Sequence, residues 1–189
     1  MPVRLRESDR GALETHFLSL GAEDRRLRFG GPIADEGLRA YVARIDFERD
    51  GVFAVHDDDL RLVAVVHVAF SEASAELGLS VLPGARGEGL GNALLTRAVM
   101  HLRNRGSPEV FVHCLSENAA MMHLARKNGM RIIPAGSESD ARLAVDPPTP
   151  HSQFTEWLQD NQASAVQSVR RNARFTKTFL DFFNPTGSR

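Results

Sequence analysis

The chain has 189 residues, of which 42% are hydrophobic and 25% charged, so it is long enough for one domain with a sizeable core, with or without an appendage. Lysine and arginine number 23 against 24 aspartates and glutamates, and the net charge of -1 excludes a protein that binds polyanions through bulk positive charge. The single cysteine, Cys114, excludes an intrachain disulfide framework and cysteine-rich zinc sites. We expect a cytoplasmic protein without a membrane partner, because the cysteine usage suits a reducing compartment and no signal core or bilayer-length apolar run is visible.

The hydrophobic pattern up to about Ile133 predicts the order β-α-α-β-β-β-α-β-α-β. The predicted elements are, in chain order, a strand at Val3–Leu5, helices from Ser8 or Asp9 to Leu20 and at Asp35–Ile45, strands at Val52–His56, Leu60–Phe70 and Ala75–Leu82, a helix at Leu90–Arg105, a strand at Glu109–Leu115, a helix at Asn118–Asn128 and a strand from Arg131. Hairpins followed by a β-α-β-α-β segment predict an α/β fold with a mixed sheet.

The regular pattern of strands and helices changes after Pro134. The proline-rich stretch from Pro147 then divides the chain into a domain at residues 1–146 and a C-terminal extension at residues 147–189. Ala141–Val145 predicts a last edge strand, and Pro147–Pro150 predicts a stiff linker or a helix stop. Residues 153–183 predict an apolar helical tail that covers the domain or forms a homodimer. The alternative is a partner or nucleic-acid surface on Arg170, Arg171, Arg174 and Lys177, although near-neutral charge argues against DNA.

A glycine-rich loop, Arg86–Asn92, lies between a predicted strand and a predicted helix. The first turn of a helix has N–H groups without intrahelical partners, and the helix dipole makes that end attractive to a phosphate. Gly87, Gly89 and Gly91 allow close backbone approach and positive φ, and Arg86 adds a positive charge. The glycines alone are equally typical of an ordinary strand–helix turn.

Two other phosphate motifs fit this loop poorly. Gly84 and Gly89 have the spacing of a P-loop, but Leu90-Gly91 replaces the required Lys-Ser/Thr pair. Gly89-Leu90-Gly91 opens a Rossmann fingerprint, but the third glycine position is Leu94.

A longer pattern continues from the loop into the next strand and helix. It consists of Arg86-x-x-Gly89-x-Gly91, a strand, Asn118 and the helix ending Lys127-x-Gly129-Met130. This pattern, which covers about Val52–Ile133, resembles the GNAT superfamily of acyl-CoA-dependent N-acyltransferases. The resemblance implies a central, mostly antiparallel, splayed sheet flanked by helices, here with a C-terminal helical appendage.

The same resemblance implies acetyl-CoA as co-substrate and assigns binding roles. Backbone amides of the loop would hold the coenzyme A pyrophosphate; they belong to Arg86, Gly87, Glu88, Gly89, Leu90, Gly91 and Asn92. The main chain at Leu79 and Val81 would pair with the pantetheine arm and the acyl carbonyl, in a cleft where the strand splays from its neighbour. Asn118 would contact the cofactor from the opposite side, and it also predicts a helix N-cap.

Direct attack on a thioester requires a neutral amine, which at pH 7 costs roughly 4–5 kcal/mol for a lysine and about 1 kcal/mol for an α-amino group. Glu76 is the candidate general base, since several GNAT enzymes have a glutamate base at this position. The alternative for Glu76 is a paired or solvated strand residue. His113 and His67 are reserve bases, although each fits a core-edge histidine as well.

One departure concerns the leaving group. Many GNAT enzymes have a tyrosine seven residues after the asparagine, which protonates the departing thiolate, whereas this chain has Ala125 there. Its single tyrosine, Tyr41, lies in a distant helix. Cys114 as an acyl-carrying nucleophile is an alternative, although its strand predicts a buried, inert thiol. No further ligands join the His113-Cys114 pair, so no metal is expected.

A softer resemblance concerns the subfamily. Ala75-Glu76 and the pattern from Cys114 to Gly129, together with Glu23-Asp24-x-x-Leu27-Arg28-Phe29 upstream, are similar to the GNAT domain of bacterial protein-lysine acetyltransferases. The predicted function is therefore an acetyl-CoA-dependent N-acetyltransferase that acts on a primary amine, either a protein lysine or a small molecule. The alternative is a non-catalytic acyl-CoA-binding sensor or interaction module, which the alanine at 125 and the added tail favour.

Overall fold

The computed structural model describes residues 1–71 and 74–162. The elements are β1 (Val3–Arg4), α1 (Arg10–Leu18), α2 (Ala22–Phe29), α3 (Asp35–Ala43), β2 (Gly51–His56), β3 (Leu62–Phe70), β4 (Ala75–Val81), α4 (Leu90–Asn104), β5 (Glu109–Leu115), α5 (Ala119–Lys127), β6 (Arg131–Ala135) and β7 (Glu138–Ala144). A further helix, α6, covers residues 150–162. The predicted tail beyond residue 162, with its four basic residues, lies outside the described residues, as do residues 72 and 73 of the turn before β4.

In the described part of the chain, seven strands form one sheet in the order β1-β2-β3-β4-β5-β7-β6. All neighbours are antiparallel except β4 and β5, which are parallel because the α4 crossover joins them. The predicted α/β class with a mixed, mostly antiparallel sheet is confirmed.

Helices cover both faces of the sheet because strand residues alternate between two hydrophobic cores. Phe53 and Val55 of β2 pack with α4 and α5 on one face, whereas Val52 and Ala54 pack with α1 and α3 on the other. Even-numbered residues of β4 share the α1 side, since Ser80 hydrogen-bonds to His16 of α1. No helix in the described ranges is long and apolar enough to cross a membrane.

The sequence pattern missed the helix α2. The predicted order has no element between Leu20 and Asp35, but helical backbone runs from Ala22 to Phe29 and ends at Gly30, whose φ is 78°. This helix has no hydrophobic periodicity to reveal it, because it is polar and none of its residues is fully buried. Arg26 pairs with Glu23 one helical turn away at 2.8 Å. The other helices and strands up to Leu115 end within two residues of their predicted bounds.

The last strand was predicted at an edge of the sheet, and this prediction is wrong. β7 begins at Glu138 and pairs with β5 on one side and β6 on the other, so β6 is the edge. The cause is a tight turn at Gly136, whose φ of 68° folds the chain back between two strands.

The helix α6 begins at Pro150, which the sequence pattern assigned to a linker or helix stop. Proline suits the first turn of a helix, where an N–H has no partner. Thr149 and Ser152 cap this end reciprocally, with N···O distances of 3.0 and 3.1 Å. On the outer face Phe154 and Trp157 stack with ring centroids 5.9 Å apart and are 58% and 59% exposed.

A buried ion cluster attaches α6 to α4. Arg97, only 4% exposed, donates to Glu156 at 2.7 Å and to Asp160 at 2.6 Å. His101 and Asn104 also donate to Glu156, at 2.8 and 2.6 Å. Burial alone would raise the pKa of Glu156, but the hydrogen bonds from these three residues outweigh it and lower the pKa to about 2.

We expect Glu156→Ala to destabilise the chain by about 3 kcal/mol at pH 7, because it breaks a buried ion pair. The loss is at the lower end of the range for such pairs because Asp160 still faces Arg97. Urea unfolding measures this loss. Because the folded pKa lies below the ordinary 4.5, the contribution is complete above pH 4.5 and fades as pH falls towards 2. The control Asp146→Ala removes an exposed pair with Arg103 and should cost less than about 1 kcal/mol. Equal losses for the two variants would contradict the role of the cluster.

Candidate active-site cleft

A cleft opens between β4 and β5 because the two strands pair over only two positions. Ala75 faces Val110 and Glu76 faces Phe111, after which β5 leaves β4. β4 nevertheless stays paired with β3 as far as Val81. The resulting cavity of about 500 Å³ is bounded by β4, α2, α5 and the glycine loop.

The main chain of β4 presents unpaired groups to this cleft. Leu82 N–H donates to the Val63 carbonyl at 2.8 Å, which marks the even-numbered residues as those that hydrogen-bond to β3. Backbone groups of alternate residues point to opposite sides of a strand. The N–H and C=O groups of Leu79 and Val81 therefore point into the cleft, and both residues line it.

The glycine loop contributes free donors at one end of the cleft. Among the described residues, no acceptor lies within hydrogen-bond reach of the N–H groups from Gly87 to Asn92, and the first bond of α4 is Ala93 N–H to Gly89 C=O at 3.0 Å. Gly87 and Gly89 have φ of 81° and 76°, a conformation that disfavours any other residue. Arg86 differs from the prediction, because its N–H donates to the Pro83 carbonyl at 3.3 Å.

The side chain of Arg86 places its positive charge beside the loop, and this charge is paired. Its Nη2 binds Asp24 of α2 at 2.6 Å, and its Nε donates to the Val81 carbonyl at 3.1 Å. The ion pair thus joins the loop to α2 beside the cleft.

Lys127 of α5 also lines the cleft and has no ion-pair partner among the described residues.

Asn118 takes the predicted capping position at the start of α5. Its side-chain oxygen accepts from Met121 N–H at 3.0 Å, and its Nδ2 approaches the Leu27 carbonyl at 3.4 Å. Asn118 lines the cleft on the side opposite β4. One side chain therefore fixes α5 and contacts α2.

The candidate base Glu76 lies at the position where β4 and β5 separate. It is exposed and does not line the cavity, but strand alternation directs its side chain to the same face as Gly78 and Ser80. The face is the one that α2 covers, since a Cβ at residue 78 would overlap Arg28. Glu76 is thus near the end of the cleft rather than inside it.

Sequence reasoning missed a chain of polar side chains above this face. Arg28 Nη2 donates to Tyr41 Oη at 3.0 Å, Tyr41 donates to His67 Nδ1 at 2.6 Å, and His67 Nε2 donates to Asp50 at 3.0 Å. Burial lowers the pKa of His67, although Asp50 opposes this. Tyr41 is therefore close to the cleft wall, contrary to the expectation that it lies far from the chemistry.

A second buried pair, His16 and Ser80, was also missed. His16 Nδ1 donates to the Leu62 carbonyl and its Nε2 accepts from Ser80 Oγ, each at 2.8 Å. Burial lowers the pKa of His16 to about 4 despite the hydrogen bond to Leu62. Ser80 lines the cleft, so this neutral histidine orients a hydroxyl at its wall.

The remaining candidates lie outside the cleft. His113 is exposed between Asp140 and Glu138, and the hydrogen bond to Asp140 raises its pKa. Cys114 is buried, which raises the pKa of its thiol, and Ala125 is fully buried in the core. No cluster of three metal-ligating side chains occurs in the described part of the chain.

The comparison with protein families identifies the class to which this fold and cleft belong. Residues 21–130 match the model described as Acetyltransferase (GNAT) family. The chain belongs to this family.

Individual relatives cover different parts of the chain. A mycothiol acetyltransferase from Beutenbergia cavernae is 35% identical over 102 residues, which are 52% of this chain and 34% of that protein. The matched segment therefore spans about a third of that relative's length.

Solved structures with low sequence identity share the fold. The GNAT domain of S. lividans PAT has a TM-score of 0.65 at 17% identity and covers 76% of this chain and 89% of its own. The putative acetyltransferase yncA from Salmonella typhimurium, solved with acetyl-CoA, has a TM-score of 0.60 at 16% identity and covers 79% and 95%. The ribosomal-protein-S18-alanine N-acetyltransferase from Escherichia coli has a TM-score of 0.59 at 19% identity and covers 79% and 96%.

We expect the imidazole of His16 to titrate with a midpoint near pH 4, because burial disfavours its charged form. The folded pKa lies below the ordinary 6.5, so the stability that this histidine contributes is complete above pH 6.5 and is lost as pH falls towards 4. Ring-proton NMR titration measures the midpoint, with the exposed His113 as internal contrast above its ordinary value. A His16 midpoint at 6.5 would contradict the buried, neutral pair.

Proposed function

We propose that the chain transfers an acetyl group from acetyl-CoA to a primary amine by direct attack of the amine on the thioester. The family uses acetyl-CoA, and one observation carries the proposal for this chain: six consecutive N–H groups, from Gly87 to Asn92, have no acceptor among the described residues and lie at the end of an open cleft. Such donors at a helix N-terminus favour a diphosphate. Acetyl-CoA supplies the acetyl group in activated form.

The cleft residues divide the cofactor between them. The amides of residues 87–92 hold the pyrophosphate, and main-chain groups of Leu79 and Val81 that face the cleft pair with the pantetheine arm, as an added strand would. Because Arg86 already occupies the Val81 carbonyl, the Val81 N–H is the group left for the cofactor. Asn118 contacts the cofactor from the α5 side.

Glu76 acts as the general base in this proposal. Its exposed position at the strand junction suits a carboxylate that accepts the amine proton through water. No tyrosine acid is required, because a thiol has a pKa of about 8.5 and its thiolate leaves without prior protonation. His113 is held by two acidic side chains away from the cleft, and the lowered pKa of His67 makes it a poorer base.

The finer expectations belong to the same proposal. The acceptor is a protein lysine or a small amine, the domain spans residues 1–146, and the protein acts in the cytoplasm. A homodimer through the C-terminal helices is supported by two exposed aromatic rings on α6, at Phe154 and Trp157. Two exposed aromatic rings side by side form an apolar patch, and such patches are typical of contact surfaces.

The alternative, a non-catalytic acyl-CoA-binding module, differs in one measurable property. We expect acetyl-CoA to bind in calorimetry and to release thiol faster when an amine panel of lysine peptides, polyamines and amino acids is added. A binding module would show the heat of binding but no amine-dependent thiol. Absence of acetyl-CoA binding would overturn both readings.

We expect Glu76→Gln to lower kcat about 100-fold at pH 7, because the amide cannot accept the amine proton. The loss should shrink towards pH 9, where more of the amine is already neutral. Initial thiol-release rates from pH 6 to 9 measure it, and calorimetry should show unchanged acetyl-CoA affinity. Glu48→Gln, which changes an exposed carboxylate outside the cleft, should match wild type. Unchanged turnover of the Glu76 variant across this range would remove Glu76 from the mechanism.

A further inference from the structure

Arg28 is a partly buried cation in the cleft wall whose charge no acidic side chain in the described structure neutralises. Its neighbours on α2 differ, since Arg25 pairs with Asp35 at 2.7 Å and Arg26 pairs with Glu23 and Glu117 at 2.8 and 2.6 Å. Arg28 Nη2 donates to the neutral hydroxyl of Tyr41, and its buried Nε has no acceptor in the described ranges. A guanidinium prefers two parallel hydrogen bonds to one anion, and that partner is missing here.

The surrounding residues hold the guanidinium in one place. A Cβ at residue 78 would overlap the Arg28 guanidinium, so Gly78 provides the space that it occupies. The Phe29 and Tyr41 rings lie 4.8 and 5.7 Å from its Cζ. The hydroxyl that it contacts is fixed in turn, because Tyr41 donates to His67, which donates to Asp50. Asp50, the carboxylate in this hydrogen-bonded series, is therefore bound to His67 and does not reach Arg28.

The position of this cation relates it to the proposed chemistry. Gly78 immediately precedes Leu79, whose main chain faces the cleft. Glu76 and Gly78 lie on one face of β4 and are two positions apart along the strand, a distance of about 7 Å. A small acceptor can therefore present its amine towards Glu76 and a second group to Arg28.

We propose that Arg28 binds a carboxylate of the acceptor, so that the preferred substrate is an amine that carries a carboxylate a few bonds away. This inference rests on the proposed function and specifies its substrate class. The carboxylate neutralises a charge that would otherwise repel an incoming ammonium, and it accepts from guanidinium N–H groups that have no acidic partner in the described structure. The carboxylate belongs to a free amino acid or to an acidic residue at a peptide N-terminus.

Matched acceptor pairs test this inference in the full chain. One arm compares L-alanine with L-alaninamide and L-glutamate with its diamide. The other arm compares amidated peptides that begin with Asp or Glu with those that begin with Asn or Gln. Thiol release at saturating acetyl-CoA gives kcat/KM, and we expect the carboxylate member to be favoured at least tenfold in one arm. The favoured arm identifies the source of the carboxylate.

Three variants assign the preference to Arg28. In Arg28→Met the preference should fall to within twofold of that expected from amine basicity alone, while acetyl-CoA affinity stays within threefold. Gly78→Ala should have the same effect, because the added Cβ displaces a flexible side chain rather than backbone. Arg39→Met, which removes a surface arginine paired with Glu14 at 3.4 Å, should keep the wild-type preference.

Calorimetry provides a readout that needs no turnover. The chain saturated with coenzyme A is titrated with N-acetyl-L-glutamate and with its diamide, and the carboxylate form should bind at least tenfold more tightly, a difference that Arg28→Met removes. The proposal is overturned if neither assay shows a carboxylate preference, or if the preference survives in Arg28→Met. It is also overturned if that variant loses acetyl-CoA affinity instead. Failure of acetyl-CoA to bind to wild type, in contrast, is the failure of the proposed function itself.

Discussion

The strand β4 pairs with β3 along its whole length but with β5 only at its start, and the cleft depends on this difference. Its pairing with β3 continues to Val81, whereas its pairing with β5 stops after Glu76. A strand that pairs on one side only leaves N–H and C=O groups that need another partner. The structure places those groups inside a cavity that α2, α5 and the glycine loop enclose, rather than at an outer edge of the sheet. An extended ligand that supplies the missing hydrogen bonds therefore has a defined position and direction.

Charge is distributed unevenly along this cleft. At one end the loop offers neutral amide donors, since the charge of Arg86 is paired with Asp24. On the wall near the strand junction, Arg28 retains a positive charge beside Gly78. Amide donors suit a diphosphate, which needs many hydrogen bonds, whereas a single held guanidinium suits one carboxylate. The two ends are thus chemically distinct, as expected when a cofactor and an acceptor enter the same cleft.

Features that depend on neighbours in sequence could be predicted. The glycine loop, the start of α4 and the Asn118 cap follow from short patterns in which backbone geometry dictates the residue type. The strand assignments followed from alternation, because most strands bury at least one face. The helix α2 escaped detection because it is polar and has no fully buried residue.

Features that depend on distant residues could not be predicted. Arg28, Tyr41 and His67 meet only because α2 and α3 pack over β3 and β4, and their spacing in sequence carries no sign of contact. The same holds for Arg97 and Glu156, which are separated by 59 positions and meet through the docking of α6. The insertion of β7 between β5 and β6 likewise follows from sheet topology rather than from local pattern.

The most direct test of the proposed cofactor site is a crystal structure of the chain with bound coenzyme A. We predict pyrophosphate oxygens within hydrogen-bond distance of the N–H groups of residues 87–92 and a pantetheine arm beside the main chain of Leu79 and Val81. Coenzyme A bound elsewhere, or a β4–β5 cleft closed by protein side chains in that complex, would contradict it.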